Sequence, residues 1–227
     1  MPRKEIFLCT AIIFDMDGVV VDSEPLHIRA EKKSFVPYGI HLTDRDLQGY
    51  MGRSSRIFLQ DMIKKYDLNT TIHEMYPEHK RHLLQLYREE ITPIPGVLSL
   101  MNILKKEGLD MALASSSDRD LIDVVVEKLH LSEFLKTSVS GDEVKRTKPY
   151  PDIFLETARR LHCAPHTCVV IEDSAAGIEA ALSAGMASVG FRSPHSLNQD
   201  LKEAHFVVDD LQKINVQQLI RLAEESH

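Results

Sequence analysis

The sequence predicts an α/β protein, in which helices cover both faces of a parallel sheet and a helical segment is inserted after the first strand. After residue 97, short apolar runs alternate with longer amphipathic stretches, whereas residues 26–91 show apolar side chains at helical spacing and no convincing strand. The segment ITPIPGV, residues 91–97, separates the two patterns as a turn or linker. We therefore expect residues 1–25 and 92–227 to form the sheet domain and residues 26–91 to form a helical cap domain.

The first predicted strand is the apolar stretch that ends at Phe14, directly ahead of Asp15. The cap that follows is predicted to be helical because its apolar residues recur every three or four positions. Examples of this spacing are Ile57, Phe58 and Met62, and then Leu83, Leu84 and Tyr87.

The second half of the sequence predicts the remainder of the sheet. Five short apolar runs are interpreted as strands: MALAS (111–115), TSVSG (137–141), CVVIED (168–173), ASVGF (187–191) and FVVDD (206–210). The amphipathic stretches predict helices over 98–107, 119–129, 152–161 and 175–184. Gly185 is placed to end the last of these helices. This alternation is typical of a parallel sheet that is covered on both faces.

Composition restricts the class of partner. The chain has 27 lysine and arginine residues against 34 aspartate and glutamate residues, and its net charge of −7 disfavours a nucleic acid or an anionic membrane as the main partner. Cys9, Cys163 and Cys168 are scattered and form no C-x-x-C motif, so the sequence suggests neither a disulfide framework nor a zinc site. We expect a cytoplasmic monomer that acts on a small molecule.

The segment IIFDMDGVVVDSEP, residues 12–25, places Asp15, Asp17 and Asp22 behind the first strand. An open parallel sheet binds ligands beyond the carboxyl ends of its strands, at the point where the strand order reverses. A lone D-x-D-G after a strand is usually an ordinary turn, and that interpretation stays open for this segment alone. A calcium loop is excluded because it needs an oxygen ligand where the chain has Val19.

The second predicted strand end is rich in serine. The segment MALASSSDRD, residues 111–120, ends its apolar run in Ser115, Ser116 and Ser117 ahead of a helix. Hydroxyl groups and free backbone N–H groups at such a position can bind an anion. An ordinary N-cap is the alternative, and it accounts for Ser117 or Asp118 without requiring Ser115.

Two further segments, KRTKPYPDIF (145–154) and VVIEDSAAGIEAA (169–181), add a cation and two carboxylates. Lys148 precedes a proline, which stiffens the backbone ahead of a helix. A lysine is usually a solvated surface charge, but beside carboxylates it can neutralise a phosphate as a compact cation. Glu172 and Asp173 end the next apolar strand, and taken alone they are also compatible with a capped helix.

In this order the four segments resemble the motifs of the haloacid dehalogenase-like hydrolase superfamily. DMDGV matches the first motif, Ser115 the second, Lys148 the third, and Glu172 with Asp173 the fourth. The resemblance covers nearly the whole chain. It implies a Rossmann-like core, a helical cap inserted after the first motif, and Mg²⁺-dependent phosphoryl transfer.

The resemblance also implies roles for individual residues. Asp15 is expected to attack phosphorus and become an aspartyl phosphate. Asp17 is expected to protonate the leaving oxygen and then to take a proton from the attacking water. Ser115, Ser116 and Lys148 are expected to hold the phosphoryl oxygens.

The implied Mg²⁺ ligands are Asp15, the backbone carbonyl of Asp17, and Asp173, with Glu172 as an outer or occasional ligand. Because Mg²⁺ prefers octahedral oxygen ligation and keeps several waters, a few protein oxygens suffice. Asp22 is expected to shape the hinge into the cap.

The segment DGVVVDSEPLH, residues 17–27, is similar to the β-phosphoglucomutase-like branch of the superfamily, in which a cap histidine matches His27. Related phosphatases often carry a histidine there as well, so His27, predicted to bind substrate, does not decide between the two activities. The cap segment LQGYMGRSSR, residues 47–56, leaves open whether Arg53 or Arg56 holds a second phosphate, as a mutase requires.

Asp118 places a negative charge near the expected position of that second phosphate, with Arg119 as a possible compensating cation. This charge favours hydrolysis over mutase chemistry. We therefore predict a Mg²⁺-dependent phosphatase that acts on small phosphorylated metabolites, in particular sugar phosphates. A β-phosphoglucomutase-like sugar phosphomutase is the alternative.

Overall fold

The computed structural model describes residues 10–47, 50, 54–194 and 199–225. Within these residues, six parallel strands form one sheet in the order β3-β2-β1-β4-β5-β6. The strands are β1 (Ala11–Phe14), β2 (Asp110–Ser115), β3 (Thr137–Ser140), β4 (Cys168–Glu172), β5 (Ala187–Phe191) and β6 (Phe206–Val208). The predicted α/β class is confirmed, and the strand order is that of a Rossmann-like sheet.

In the described residues, four α-helices follow β1 and precede residue 92: α1 (Glu24–Phe35), α2 (Asp44–Leu47), α3 (Ser55–Lys65) and α4 (Ile72–Glu90). The helices that accompany the sheet are α5 (Val97–Lys106), α6 (Arg119–Lys128), α7 (Asp152–Leu161), α8 (Ala175–Ser183) and α9 (Val216–Glu225). None of the helices in the described ranges is long and apolar enough to cross a membrane.

Both faces of the sheet are buried, which explains why β1 is a continuous apolar run. Successive side chains of a strand point to opposite faces. Ile12 and Phe14 belong to the apolar cluster that includes residues of α5, α6 and α9. Ala11 and Ile13 belong to the cluster that includes residues of α7 and α8. Helices therefore cover the sheet on both sides.

The inserted helices have an apolar cluster of their own, formed by Phe35, Leu42, Leu47, Phe58, Leu59, Met62 and Met75. The first of these helices begins at Glu24, two residues before the predicted boundary, because Pro25 suits the first helical turn. The last begins with a capping box, in which Thr71 and Glu74 satisfy each other's backbone N–H groups. The domain boundaries at residues 25 and 92 stay a prediction.

Two chain segments connect the sheet to the inserted helices, and they run side by side. Asp22 N donates to Thr92 O at 3.1 Å, and Ile94 N donates to Val20 O at 2.9 Å. Val21 also forms an antiparallel bridge with the second segment. We call residues 20–22 and 92–94 the linker pair. Asp22, expected at the hinge, lies in it.

Three strands are shorter than the sequence predicts, and one of them, β4, ends at Glu172 rather than at Asp173. β3 ends at Ser140, whose hydroxyl accepts a hydrogen bond from Asp142 N at 3.1 Å and begins a short 3₁₀ turn. β6 ends at Val208, and the carboxylate of Asp210 accepts a hydrogen bond from Gln212 N at 2.9 Å. Side chains that cap a turn compete with continued strand pairing.

Candidate active site

Polar residues from separate parts of the chain meet at the carboxyl ends of the central strands. Asp15 and Asp17 follow β1, Ser115 ends β2, and Glu172 ends β4. The strand order reverses between β1 and β4, so this is the edge at which such a sheet binds ligands. Lys148, which precedes α7, reaches the same place.

Lys148 lies between two carboxylates. Its Nζ contacts Asp15 Oδ1, and it donates to Glu172 Oε1 at 2.6 Å and to Ala114 O at 3.3 Å. The side chain is only 7% exposed. Burial opposes its charge, but Asp15 and Glu172 outweigh that effect and hold the pKa of Lys148 above its ordinary value. Lys148 is therefore a buried and permanent cation.

Asp15, Glu172 and Asp173 form a compact group of buried carboxylates. Each offers one oxygen, and these oxygens lie within 4.8 Å of one another. Burial raises the pKa of Asp15; Lys148 opposes this effect and the neighbouring carboxylates add to it. Because Lys148 balances only part of this charge, the group has the character of a cation site. Its all-oxygen donors suit a hard cation such as Mg²⁺.

Two glycines allow these carboxylates to lie where they do. A Cβ on Gly18, whose φ is +82°, would lie 2.0 Å from Asp173 Oδ2. A Cβ on Gly177 would lie 1.9 Å from Glu172 Oε1. Any side chain at either position would displace a carboxylate, so both glycines are required by the site.

Asp17 has a different environment from Asp15. Among the described residues, its carboxylate accepts hydrogen bonds from the hydroxyl groups of Ser23 (2.6 Å), Tyr87 (2.8 Å), Ser115 (3.1 Å) and Ser117 (2.7 Å). Burial favours the neutral form of Asp17. The interaction with His27 and the hydroxyl donors outweigh burial, so the pKa of Asp17 lies well below its usual value. Asp17 is a carboxylate in this arrangement.

His27 on α1 brings the cap to this carboxylate. Its Nε2 lies 3.8 Å from Asp17 Oδ1 and 2.9 Å from the hydroxyl oxygen of Tyr87, and its Nδ1 lies 3.3 Å from Ser55 Oγ. Ser55 in turn donates to Glu31 Oε1 at 3.2 Å.

The donors and acceptors of this network follow from its two hydroxyl groups. Tyr87 donates its hydroxyl proton to Asp17 and Ser55 donates its hydroxyl proton to Glu31, so each hydroxyl oxygen must accept a hydrogen bond from His27. Both ring nitrogens of His27 are then donors, which makes it an imidazolium. Burial lowers the pKa of His27, but the interaction with Asp17 outweighs it and the net shift is upward.

A cavity of about 130 Å³ lies between the sheet and the cap. Its sheet wall includes Asp15, Asp17, Ser115, Ser116, Lys148, Glu172 and Asp173. Its cap wall includes His27, Glu31, Ser55 and Tyr76. The predicted site residues of the sheet domain and His27 therefore line one cavity.

Two arginines, Arg53 and Arg56, were expected to bind a second phosphate. Arg53 lies outside the described residues. Arg56 stacks on Tyr76, with its guanidinium carbon 3.7 Å from the ring centre, and its Nη2 lies 3.7 Å from Asp118 Oδ2. Lys80 Nζ lies 3.1 Å from the same oxygen. Arg56 and Lys80 thus both pair with Asp118.

Arg119 does not compensate Asp118 as the sequence suggested. It donates to Ser138 Oγ at 2.8 Å and contacts Glu143, on the side of the sheet near β3. Asp118 occupies the N-cap position of α6, but its carboxylate makes no capping bond and instead accepts from Tyr76 OH at 2.8 Å. The compensating cations come from the cap because Asp118 faces it.

Sequence reasoning missed the residues of the site that lie on helices. Tyr87 was identified only as an apolar residue at helical spacing, although its hydroxyl reaches Asp17. Glu31, Tyr76 and Lys80 carry no local motif. A polar group on the buried face of an amphipathic helix is the one signal available, and Glu31 provides it, being 7% exposed.

A sequence model of the haloacid dehalogenase-like hydrolase family matches residues 12–191. The chain is 33% identical over 192 residues to a phosphorylated carbohydrates phosphatase of Thermotoga maritima, covering 83% of this chain and 87% of that protein. It is 28% identical to hexitol phosphatase B of Escherichia coli, covering 92% and 93% of the two chains.

Among solved structures, a β-phosphoglucomutase of Clostridium difficile superposes with a TM-score of 0.79 at 28% sequence identity. The match covers 95% of this chain and 97% of that structure.

Proposed function

The chain belongs to the haloacid dehalogenase-like hydrolase family, and on this premise we propose that it is a Mg²⁺-dependent phosphatase of small phosphorylated carbohydrates. The observation that carries the proposal is the meeting of Asp15, Asp17 and Lys148 with two further carboxylates at the strand ends. The relatives named as carbohydrate and hexitol phosphatases support the class of substrate.

In the proposed reaction, a carboxylate oxygen of Asp15 attacks phosphorus, and the bond from phosphorus to the ester oxygen breaks. Asp17, which takes up a proton from solvent or from the phosphate monoanion before the first turnover, gives that proton to the departing alkoxide. Water then attacks the aspartyl phosphate, Asp17 takes the proton of that water, and inorganic phosphate leaves. Both residues return to their initial states, so the balance of protons closes over one cycle.

The environment of Asp17 is suited to this exchange of protons. In the structure four hydroxyl groups stabilise it as a carboxylate, the form that accepts a proton from water. Ser115 and Ser117 also lie where they can turn toward a phosphoryl group. Without these two donors, Asp17 has a higher proton affinity and can hold the proton that the leaving group needs.

Mg²⁺ would be held by Asp15, Asp173 and the backbone carbonyl of Asp17, and when bound it would neutralise charge on the phosphoryl oxygens. We place Glu172 outside the direct ligands because both of its oxygens are engaged. Oε1 accepts from Lys148 at 2.6 Å and Oε2 accepts from Ser174 N at 2.7 Å. Glu172 would thus hold Lys148 in place beside Asp15.

A sugar phosphomutase is the second candidate, favoured by the position of His27 beside Asp17 and by the similarity to a β-phosphoglucomutase structure. A mutase must bind a bisphosphate in two orientations, which requires a free cation on the cap. Of the residues that the structure describes on this side of the cap, Arg56 and Lys80 instead pair with Asp118. Hydrolysis is therefore the activity that we propose.

The deciding experiment supplies β-glucose 1-phosphate, Mg²⁺ and a catalytic amount of glucose 1,6-bisphosphate, and follows glucose 6-phosphate and inorganic phosphate together. We expect inorganic phosphate to be the main product. Rapid formation of glucose 6-phosphate with little free phosphate would establish the mutase instead. A panel of phosphorylated sugars and polyols assayed for phosphate release would then rank the substrates. The monomeric state and the cytoplasmic location stay predictions.

A further inference from the structure

Glu31 is an unusual residue in the cap wall. It is 7% exposed, it lies on the buried face of α1, and it lines the cavity. In the part of the chain that the structure describes, no lysine or arginine pairs with it. Burial raises the pKa of Glu31 to about 7, and this effect is opposed by the charge of His27 and by the hydrogen bond from Ser55. The fold thus keeps a carboxyl group where an apolar residue would be more stable.

Among the described residues, one carboxylate oxygen of Glu31 accepts a hydrogen bond and the other does not. Oε1 accepts the hydrogen bond from Ser55 at 3.2 Å. For Oε2 the described residues provide no hydrogen-bond donor. Oε2 is not one of the fully enclosed atoms that lack a partner, so it is open to the cavity and can accept a hydrogen bond from a hydroxyl group of a bound molecule.

The position of Glu31 relative to Asp17 fits a ligand that spans the cavity. The polar path from Asp17 to Glu31 runs through His27 and Ser55, with contacts of 3.8, 3.3 and 3.2 Å. Under the proposed function, the leaving oxygen lies beside Asp17. The carbon chain of the leaving alcohol would then extend along His27 and Ser55 toward Glu31.

The charges at the far end of this path disfavour a second anion. Glu31 is acidic and lines the cap side of the cavity, and the positive charge of His27 is balanced by Asp17. The cations Arg56 and Lys80 pair with Asp118 and are not available to a ligand. A neutral group that donates hydrogen bonds is therefore the chemistry that this wall accepts.

We propose that Glu31 determines specificity by accepting a hydrogen bond from a hydroxyl group of the leaving alcohol, and that it selects neutral polyols and sugars over leaving groups with a second anionic charge. This inference rests on the proposed phosphatase function and adds the residue that recognises the alcohol. It concerns binding only, because Glu31 does not touch the groups that react.

The test compares kcat/KM for sorbitol 6-phosphate, fructose 1,6-bisphosphate and p-nitrophenyl phosphate, an ester without alcohol hydroxyl groups. In Glu31→Gln we expect the ratio of sorbitol 6-phosphate to p-nitrophenyl phosphate to fall about tenfold, mainly through KM, because a hydrogen bond to a charged acceptor is lost. Discrimination against the bisphosphate should relax at the same time. Glu89→Gln changes an exposed glutamate of α4 and serves as the control.

Unchanged ratios in a folded Glu31→Gln protein would overturn the inference. If that variant does not fold, Ser55→Ala replaces it, since it removes the donor that holds Oε1 of Glu31. The ratio should then fall about threefold, and an unchanged ratio would again reject the role of Glu31. A wild-type protein that releases phosphate from none of the three esters would instead reject the proposed function.

Discussion

The sheet wall and the cap wall of the cavity differ in how their polar groups are held. In the sheet wall, Asp15 and Glu172 adjoin strands that are paired on both sides, and two glycines fit closely around the carboxylates. In the cap wall, His27 and Glu31 lie on α1, which contributes to the apolar clusters of both the sheet domain and the cap, and Ser55 lies on α3, which contributes to the cap cluster.

The two walls are joined by polar and apolar contacts as well as by the linker pair. Tyr87 donates to Asp17, Asp118 accepts from Tyr76 and pairs with Lys80, and Tyr87 also belongs to the apolar cluster of the sheet domain. Because the sheet wall is fixed by strand pairing, substitutions in the cap wall should alter which molecule binds without displacing Asp15. We therefore expect the proposed chemistry and the proposed selection of substrate to be separable by substitution.

The largest effect is expected from Asp15→Asn. The amide is a poor nucleophile, so kcat should fall by about 10³-fold or more while the protein stays folded. Phosphate release and the circular dichroism spectrum are the two measurements. Asp123→Asn, an exposed change on α6, is the control and should behave as wild type. Turnover within a few fold of wild type in Asp15→Asn would contradict a covalent mechanism on the sheet wall.

The second largest effect is expected from removal of the metal ion, and it is measured as phosphate release. Chelation with EDTA should abolish phosphate release, and added Mg²⁺ should restore it. In Asp173→Ala, the Mg²⁺ concentration for half-maximal activity should rise by about 10- to 100-fold, because a proposed oxygen ligand is lost. Asp209→Ala, at an exposed site far from the cluster, is the matched control. Activity that survives complete chelation would show that Asp15, Glu172 and Asp173 do not bind a metal ion that the reaction needs.

The third effect is a change in the free energy of unfolding, and it is expected from a substitution in the cap wall. The folded pKa of Glu31, about 7, lies above its ordinary value of 4.5. The folded protein therefore binds more protons than the unfolded chain between these values, and its stability falls as pH rises through that window. Glu31→Gln abolishes this loss, so it should be more stable than wild type at pH 8, by up to about 3 kcal/mol, and nearly equal to it at pH 4.5.

Urea unfolding at the two pH values measures this difference. Glu89→Gln should show no such dependence on pH. A stability difference between Glu31→Gln and wild type that is the same at pH 4.5 and pH 8 would refute the raised pKa.

The smallest effect is expected where the walls meet. Asp118→Asn weakens the attraction to Arg56 and Lys80 while it keeps an acceptor for Tyr76, so KM should rise about threefold with little change in kcat. Asp120→Asn is the matched control, because Asp120 is exposed and also pairs with Lys80, at 2.8 Å. Equal KM values for the two variants would mean that the contacts of Asp118 with the cap do not affect substrate binding.

The difference between the walls also explains what the sequence could predict. The sheet wall comes from short motifs behind apolar runs, and the parallel order brings strand ends together, so Asp15, Lys148 and Asp173 could be placed before the structure was known. The confirmed class of the fold follows from the same alternation of strand and helix.

The cap wall could not be predicted in this way. Glu31, Ser55 and Tyr87 come from three helices, and their meeting depends on how those helices pack rather than on any local spacing. The partner of Asp118 was misassigned for the same reason. Arg119 is its neighbour in sequence, whereas Lys80 is its neighbour in space.

The central place of β1 in the sheet has a consequence for how the molecule is made. Ala11 pairs with Asp110 on one side and with Cys168 on the other, so both partners lie far along the chain. At a synthesis rate of roughly 5–20 residues per second, β1 is synthesised about 10 to 30 s before the second of its two neighbouring strands is complete. The apolar cluster of the cap helices joins residues that are closer together along the chain, although Leu83 and Tyr87 also pack on the sheet domain. We expect this cluster to gain amide protection before β1 in pulsed hydrogen exchange, so that the proposed specificity wall forms before Asp15 is positioned.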